Sequence, residues 1–387
     1  MSTNVSAVAP VLDALREFSP RLRENGLEAE QRGWLPDESI ELMEKAGVFG
    51  ASVPARFGGL DLGAADQCRV ITEVSRACPS TGWTSMVYLS NTFAATLFPA
   101  RVQEEIFTSG SVRVTGVYSP TGALTPVEGG YRLNGRWRFN SGCRAAHWNV
   151  VVAMLDGTAD VLVAAVPLSD LEVVDDWDTT AAAGTGSCST VASDVFVPAH
   201  RVIGFGEALN TAVPGRDDAP GRDYGLISLA VTQCAAAAVG MAKGALELYL
   251  DRLPGRGIVY TKWSEQSETP LTQIQVAGAD ARIAAAQALV DTWAGRIQDA
   301  ADANRQLTAE EKAEARAHGA FAIQLAKEAV EQLYDASGAS VIGRNVPIQR
   351  FQRDLRAFSL HGLLLLTTNL EVHGRVLVGL DAGTPIL

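Results

Sequence analysis

Along this chain of 387 residues the spacing of apolar side chains changes twice, and few folds accommodate both changes. Val11 to Glu24, Pro36 to Ala46 and Ala65 to Arg76 repeat apolar residues every three or four positions, as helices with one buried face do. Pro36 suits a first helical turn, where its missing N–H costs nothing. From about Ser111 the period drops to two. Arg113 to Tyr118, Tyr131 to Phe139, Asn149 to Met154, Val161 to Val166 and Ser193 to Val197 are short alternating or β-branched runs between Gly, Pro, Asp and Asn, which predicts a small antiparallel barrel. After a Gly-, Pro- and Asp-rich connection, Gly206 to Arg222, the helical period returns in Gly225 to Arg252, Pro270 to Asp302, Thr308 to Ser337 and Pro347 to Leu380. The expected organisation is an N-terminal helical domain over 1–108, a middle β-barrel over 109–222 and a C-terminal four-helix bundle over 223–387, a mainly α fold with a central β-barrel.

The bulk numbers remove several function classes. Hydrophobic residues make up 47% and charged residues 20%, the balance of a globular chain with a large core. The longest apolar-leaning run, Leu226 to Met241, is interrupted by Thr232, Gln233 and Cys234, so no membrane span is expected. The N-terminus lacks the basic start and apolar block of a signal peptide, which predicts a cytoplasmic protein. A net charge of −12 without clustered Lys and Arg argues against nucleic-acid binding. Five cysteines, with no Cys-x-x-Cys pair, indicate neither a metal site nor a disulfide framework and are expected reduced and buried.

Gly129 to Trp148 is the segment richest in chemistry. Tyr131, Leu133, Trp137 and Phe139 stand at strand spacing around Asn134-Gly135, the strongest short hairpin signal, and the chain then reaches Asn140, Ser141 and Gly142. A loop of this kind sets a hydroxyl and backbone N–H groups beside an aromatic wall, which suits a flat ligand with polar edges, such as a flavin.

Four segments, VPARFGG from Val53, GRWRFNSGCRAAHW from Gly135, WDTTAAAGTGSCSTVASDVFVPAHRV from Trp177 and QRFQRDLRAFSLHG from Gln349, together resemble the acyl-CoA dehydrogenase fold of flavoproteins. The resemblance implies helices, a β domain and a four-helix bundle in that order. It places Trp137 and Phe139 against the flavin, Ser141 at its N5 edge with Gly142 beside it, Gly184, Thr185, Gly186 and Ser187 near the ring, and Tyr118 and Ser119 along the pyrimidine side. Arg252, with Arg256 and Trp263, falls where that family contacts a cofactor phosphate or adenine, partly across subunits.

In the dehydrogenases a glutamate after an Arg-Asp pair removes the substrate's α-proton. Here, after Arg353-Asp354, His361 holds the place of the neighbouring tyrosine and Gly362 that of the glutamate. A missing base would cost about 10² to 10⁴-fold. The segment is instead similar to the flavin-dependent monooxygenases of this fold, which take reduced flavin (FADH2 or FMNH2) from a separate NAD(P)H:flavin reductase. They react it with O2 to a C4a-(hydro)peroxyflavin and oxygenate a small aromatic or secondary-metabolite substrate. His361 and Ser141 become the catalytic candidates, and Trp83, Tyr88 and Asn91 the substrate-facing ones together with His361. Two departures stand out: Ala183 replaces a common arginine, and no histidine accompanies Tyr88 and Asn91. Homotetramers are expected from the resemblance and the Ala-lined helices. The alternative is an acyl-CoA dehydrogenase with a relocated base, for which Asp251 is a candidate.

Overall fold

The structure, a computed structural model, describes residues 7–209 and 223–387. Five helices open the chain: α1 (Ala9–Arg32), α2 (Asp37–Lys45), α3 (Ala64–Ala77), α4 (Pro79–Ala95) and α5 (Ala100–Ile106). Leu12, Leu15, Leu22 and Ala29 form the buried face of α1, and Gly33 ends that helix at φ 69°, a left-handed angle that glycine adopts without a Cβ penalty. Extended Cys78 separates α3 from α4, with Pro79 in the first turn of the second helix.

Seven strands follow: β1 (Val114–Val127), β2 (Gly130–Trp137), β3 (Trp148–Leu155), β4 (Val161–Pro167), β5 (Glu172–Val174), β6 (Ser189–Pro198) and β7 (Val202–Gly204). They lie in the order β5-β6-β2-β1-β3-β4-β7. The sheet is mixed and not wholly antiparallel, because β1 pairs parallel with β3. After β2 the chain passes through the 138–147 loop to the other edge of β1, so β3 must run with β1. The hairpin between β1 and β2 turns at Glu128-Gly129, where Gly129 has φ 78°, and not at Asn134-Gly135. Asn134 sits instead at an irregularity between β2 and β6, where its Oδ1 accepts from the backbone N–H of Asp194 at 2.8 Å. Gly122 and Gly135 are paired glycines that make room for Trp137: a Cβ on Gly122 would lie 2.3 Å from the indole.

The chain continues through α6 (Phe205–Leu209), which takes up the first part of the expected connection; residues 210–222 lie outside those described. Then come α7 (Leu226–Leu250), α8 (Pro270–Asp302), α9 (Ala309–Ala336), α10 (Ile348–Phe358) and α11 (Leu366–Leu377). Helix α7 packs closely on α3 because Gly240 and Gly244 face it: a Cβ there would stand 2.2 Å from the carbonyl oxygens of Thr72 and Arg76. By length and composition alone α7 could cross a membrane, but 89% of its most apolar window is buried inside the protein. A capping box, Thr308 with Glu311, starts α9.

The span expected as one helix from Pro347 to Leu380 is broken into α10 and α11. His361 N–H donates to the Phe358 carbonyl, and Leu364 N–H donates to the His361 carbonyl at 2.7 Å, so two tight turns replace the helical ladder. The buried Asn369 side chain donates to the carbonyls of Leu363 and Leu365 at 2.9 Å each, the second of which also accepts the Asn369 backbone N–H. The break is what presents His361.

Candidate active site

Two turns meet at the edge of the sheet facing α4 and α10. The first, after β2, carries Phe139, Asn140, Ser141 and Gly142; the second, before β6, carries Gly184 to Ser187. Gly142 N–H donates to the Thr185 carbonyl at 3.3 Å, and the hydroxyls of Ser141 and Ser187 are 2.7 Å apart. Thr185 Oγ1 extends the chain of hydroxyls, 2.7 Å from Ser187 Oγ and 2.8 Å from the Ala182 carbonyl. From below, the Thr115 hydroxyl lies 2.7 Å from the Ser141 carbonyl and 2.8 Å from Asn140 Oδ1. Phe139 stands 66% exposed at φ 61°, with its ring edge-on to Trp177 at 5.8 Å. An exposed aromatic held in the left-handed region is strained, and such strain gathers at functional sites.

Trp83 on α4 connects these turns to the histidine. Its indole N–H donates to Ser141 Oγ at 3.2 Å, and its ring stacks on Phe358 with centroids 4.2 Å apart and planes 1° from parallel. The same ring lies 6.2 Å from that of His361. With Met241 of α7 and Leu364, Trp83 and Phe358 line a narrow apolar crevice. His361 Nδ1 accepts from the Leu363 N–H at 3.2 Å, which assigns the proton of the neutral ring to Nε2. His361 is exposed at the protein surface, and the neighbouring protein around its ring disfavours the charged form and lowers its pKa from the ordinary value.

Asp354, read in the sequence only as half of an Arg-Asp marker, fixes the second turn. Its Oδ1 accepts from Ala182 N–H at 2.6 Å and its Oδ2 from the Ser80 hydroxyl at 3.0 Å. Burial pushes its carboxyl up to about 6. Arg353 donates to Glu30 at 2.6 Å and also to the Thr180 carbonyl. The sequence signal was a carboxylate on the apolar side of α10, between Phe351, Leu355 and Phe358, all buried.

Several expected contacts resolve differently. Trp137 is fully buried in the sheet's own core beside Leu124, Leu133 and Val151, and its indole donates to the Val152 carbonyl at 2.9 Å. It therefore presents no surface to a flavin. Tyr88 is also fully buried, with its hydroxyl donating to the Gly142 carbonyl at 2.6 Å, so it props the turn. Asn91 is buried, spent between the Val87 carbonyl at 2.8 Å and the Tyr118 hydroxyl at 3.0 Å. Tyr118 and Ser119 fall at the irregularity of β1 between Val117 and Gly122; Tyr118 is half-buried and Ser119 exposed. The N–H groups of Thr185 and Gly186 are used inside their own turn, on Ala182 and Ala183 carbonyls. Gly184 is buried, with Ala29 and Ser80 occupying the space of a Cβ, so it serves close packing. Arg252 lies past the end of α7, donating to Ser340 at 3.1 Å and apart from the Ser141 cluster. His200, read as structural, pairs with Glu105 at 2.8 Å. All five cysteines are buried and unpaired.

The residues present fit a flavin: the paired Ser141 and Ser187 hydroxyls offer polar contacts, and the stacked Trp83–Phe358 pair and the exposed Phe139 ring offer flat apolar ones. Asp354 is 2% exposed and both its carboxylate oxygens are engaged within the protein, so it presents no base to a ligand.

Comparison with known proteins agrees. Residues 11–99 match the family described as acyl-CoA dehydrogenase, N-terminal domain, and residues 232–364 the corresponding C-terminal domain. The oxygenase subunit HsaA of a flavin-dependent monooxygenase from Rhodococcus jostii is 31% identical over 362 residues, spanning 90% of this chain and 92% of the relative. The oxygenase component of an FADH2-dependent resorcinol hydroxylase from a Rhizobium species is 31% identical, spanning 92% and 89%. Among solved structures, XiaF from a Streptomyces species, in complex with FADH2 and glycerol, superposes with a TM-score of 0.93 at 27% identity, covering 98% of each chain. The chain belongs to the acyl-CoA dehydrogenase family, in the branch of oxygenase components of flavin-dependent monooxygenases.

Proposed function

We propose that this chain uses reduced flavin, FADH2 or FMNH2, and O2 to hydroxylate or N-oxygenate a small aromatic or secondary-metabolite substrate. A separate NAD(P)H:flavin reductase supplies the flavin, the assembly is a homotetramer, and the compartment is the cytoplasm. The observation that carries the reading is Trp83, which joins the Ser141–Ser187 hydroxyl pair to the Phe358–His361 turn while no free carboxylate stands at the base position. Exposed Leu271, Ile274, Leu377 and Val378 on or beside α8 and α11 support association of bundles.

Bound reduced flavin supplies the electrons that activate O2. Ser141 and Ser187 would bond its ring edge, and Phe139, with Trp177 behind it, would wall the ring from water. Exclusion of water matters because hydrogen peroxide release competes with oxygen transfer. His361 would hold a proton at Nε2, toward the reacting oxygen or the substrate heteroatom, while Leu363 N–H fixes the ring through Nδ1.

The test is single turnover with reduced flavin, ¹⁸O₂ and a panel of phenols and indoles. One ¹⁸O atom in a product is expected; flavin reoxidation without incorporation across the panel would count against the reading.

A further inference from the structure

Three parts of the site come from segments far apart in sequence: the 182–187 turn, the start of α4 with Trp83, and α10 leading to His361. A single buried side chain on the third bonds to the other two. Asp354 belongs to α10, its Oδ1 accepts from Ala182 N–H at 2.6 Å, and its Oδ2 accepts from Ser80 of α4 at 3.0 Å. Three residues past Ala182 is Thr185 and five past it is Ser187; three past Ser80 is Trp83. Ala182 is a non-glycine residue at φ 55°, a conformation that needs an external hold. The neighbouring Arg353 reinforces the grip through the Thr180 carbonyl and Glu30 of α1.

We propose that Asp354 is a positioning residue that fixes the hydroxyl turn, the Trp83 helix and the His361 turn at one mutual separation, and thereby sets how completely oxygen reaches substrate instead of leaving as hydrogen peroxide. Its activity readout rests on the oxygenase reading above; its structural readout does not. Burial disfavours the charge of this carboxylate, and its hydrogen bonds to Ala182 N–H and Ser80 offset only part of that cost.

The experiment compares the wild-type full-length chain with Asp354→Ala, Asp354→Asn and Ser80→Ala. Hydrogen exchange of the flavin-free protein is followed over 180–188, and coupling of O2 consumption to product is followed with reduced flavin. Asp354→Ala is expected to speed exchange in that segment roughly tenfold or more and to lower coupling at least fivefold, with reduced-flavin affinity changed far less. Asp354→Asn keeps an acceptor for Ala182 N–H and is expected to restore most of both. Ser80→Ala, which removes one of the two partners, is expected to give about a threefold effect and keeps the test valid should Asp354→Ala fail to fold. Unchanged exchange and coupling in Asp354→Ala and Ser80→Ala would overturn the proposal. So would an Asp354→Asn variant as impaired as Asp354→Ala. Altered exchange in a protein that yields no oxygenated product from any probe would fault the oxygenase reading and leave the positioning role standing.

Discussion

Trp137→Phe separates a flavin wall from a core residue. Trp137 has no exposed surface, and its indole N–H donates to the Val152 carbonyl at 2.9 Å. Phenylalanine leaves that carbonyl without its partner, about 1–3 kcal/mol, and opens a void beside Gly122 and Gly135, whose missing side chains cannot fill it. The total expected loss is about 2–4 kcal/mol, which for a chain of this length lowers Tm by roughly 2–5 °C. Reduced-flavin affinity should stay within about twofold, because the replaced ring never faces the site. Thermal and urea unfolding of the flavin-free protein, together with anaerobic titration by reduced flavin, read both quantities. A tenfold loss of affinity with unchanged unfolding would refute the reasoning and return Trp137 to the flavin.

Ser141→Ala strands the Trp83 indole N–H and removes a ring-edge partner, so reduced flavin should bind about tenfold more weakly by anaerobic titration; unchanged affinity would clear Ser141 of that role. His361→Ala should keep flavin affinity while most O2 consumed appears as hydrogen peroxide, measured with an oxygen electrode and a peroxidase assay. Since its folded pKa lies below the ordinary 6.5, the His361-dependent fall in coupling on acidification should have its midpoint below 6.5, and its absence from the Ala variant identifies the group. Phe139→Gly relieves a left-handed backbone at φ 61°, so stability should remain within about 1 kcal/mol of wild type by urea unfolding while peroxide release rises. Asp354 has a folded pKa raised from 3.8 to about 6, so its ionisation costs stability progressively as pH rises between those values. Asp354→Asn should therefore match wild type in Tm near pH 4 and exceed it near pH 7.5, by up to about 3 kcal/mol in unfolding free energy; a variant less stable at pH 7.5 would contradict that sign.

The sequence carried the layered order of helices, sheet and helices because periodicity records which face of an element is buried. It also carried the meeting of Ser141 with Ser187, through the resemblance of two separated segments. Asn134-Gly135 misled because the pair looks the same whether it turns a hairpin or serves a bulge; only the β2–β6 register distinguishes them. The break at His361 was hidden by a helical pattern that reads as unbroken from Pro347 to Leu380, since the turns that interrupt it are held by Asn369 donating to the Leu363 and Leu365 carbonyls. Trp137 and Tyr88 read as ligand-facing because an aromatic's type says nothing about which face of the sheet or helix it occupies. Asp354 was legible only as an anomaly, a carboxylate among apolar neighbours, whose partners at Ser80 and Ala182 lie 274 and 172 residues away in sequence.

The most direct test of the account is anaerobic titration of the purified protein with reduced and oxidised FMN and FAD, followed by oxygenated buffer and an aromatic probe. The account predicts that reduced flavin binds more tightly than oxidised flavin and that O2 then yields an oxygenated product. Tightly bound oxidised FAD, bleached by an acyl thioester and inert toward aromatic probes, would contradict it.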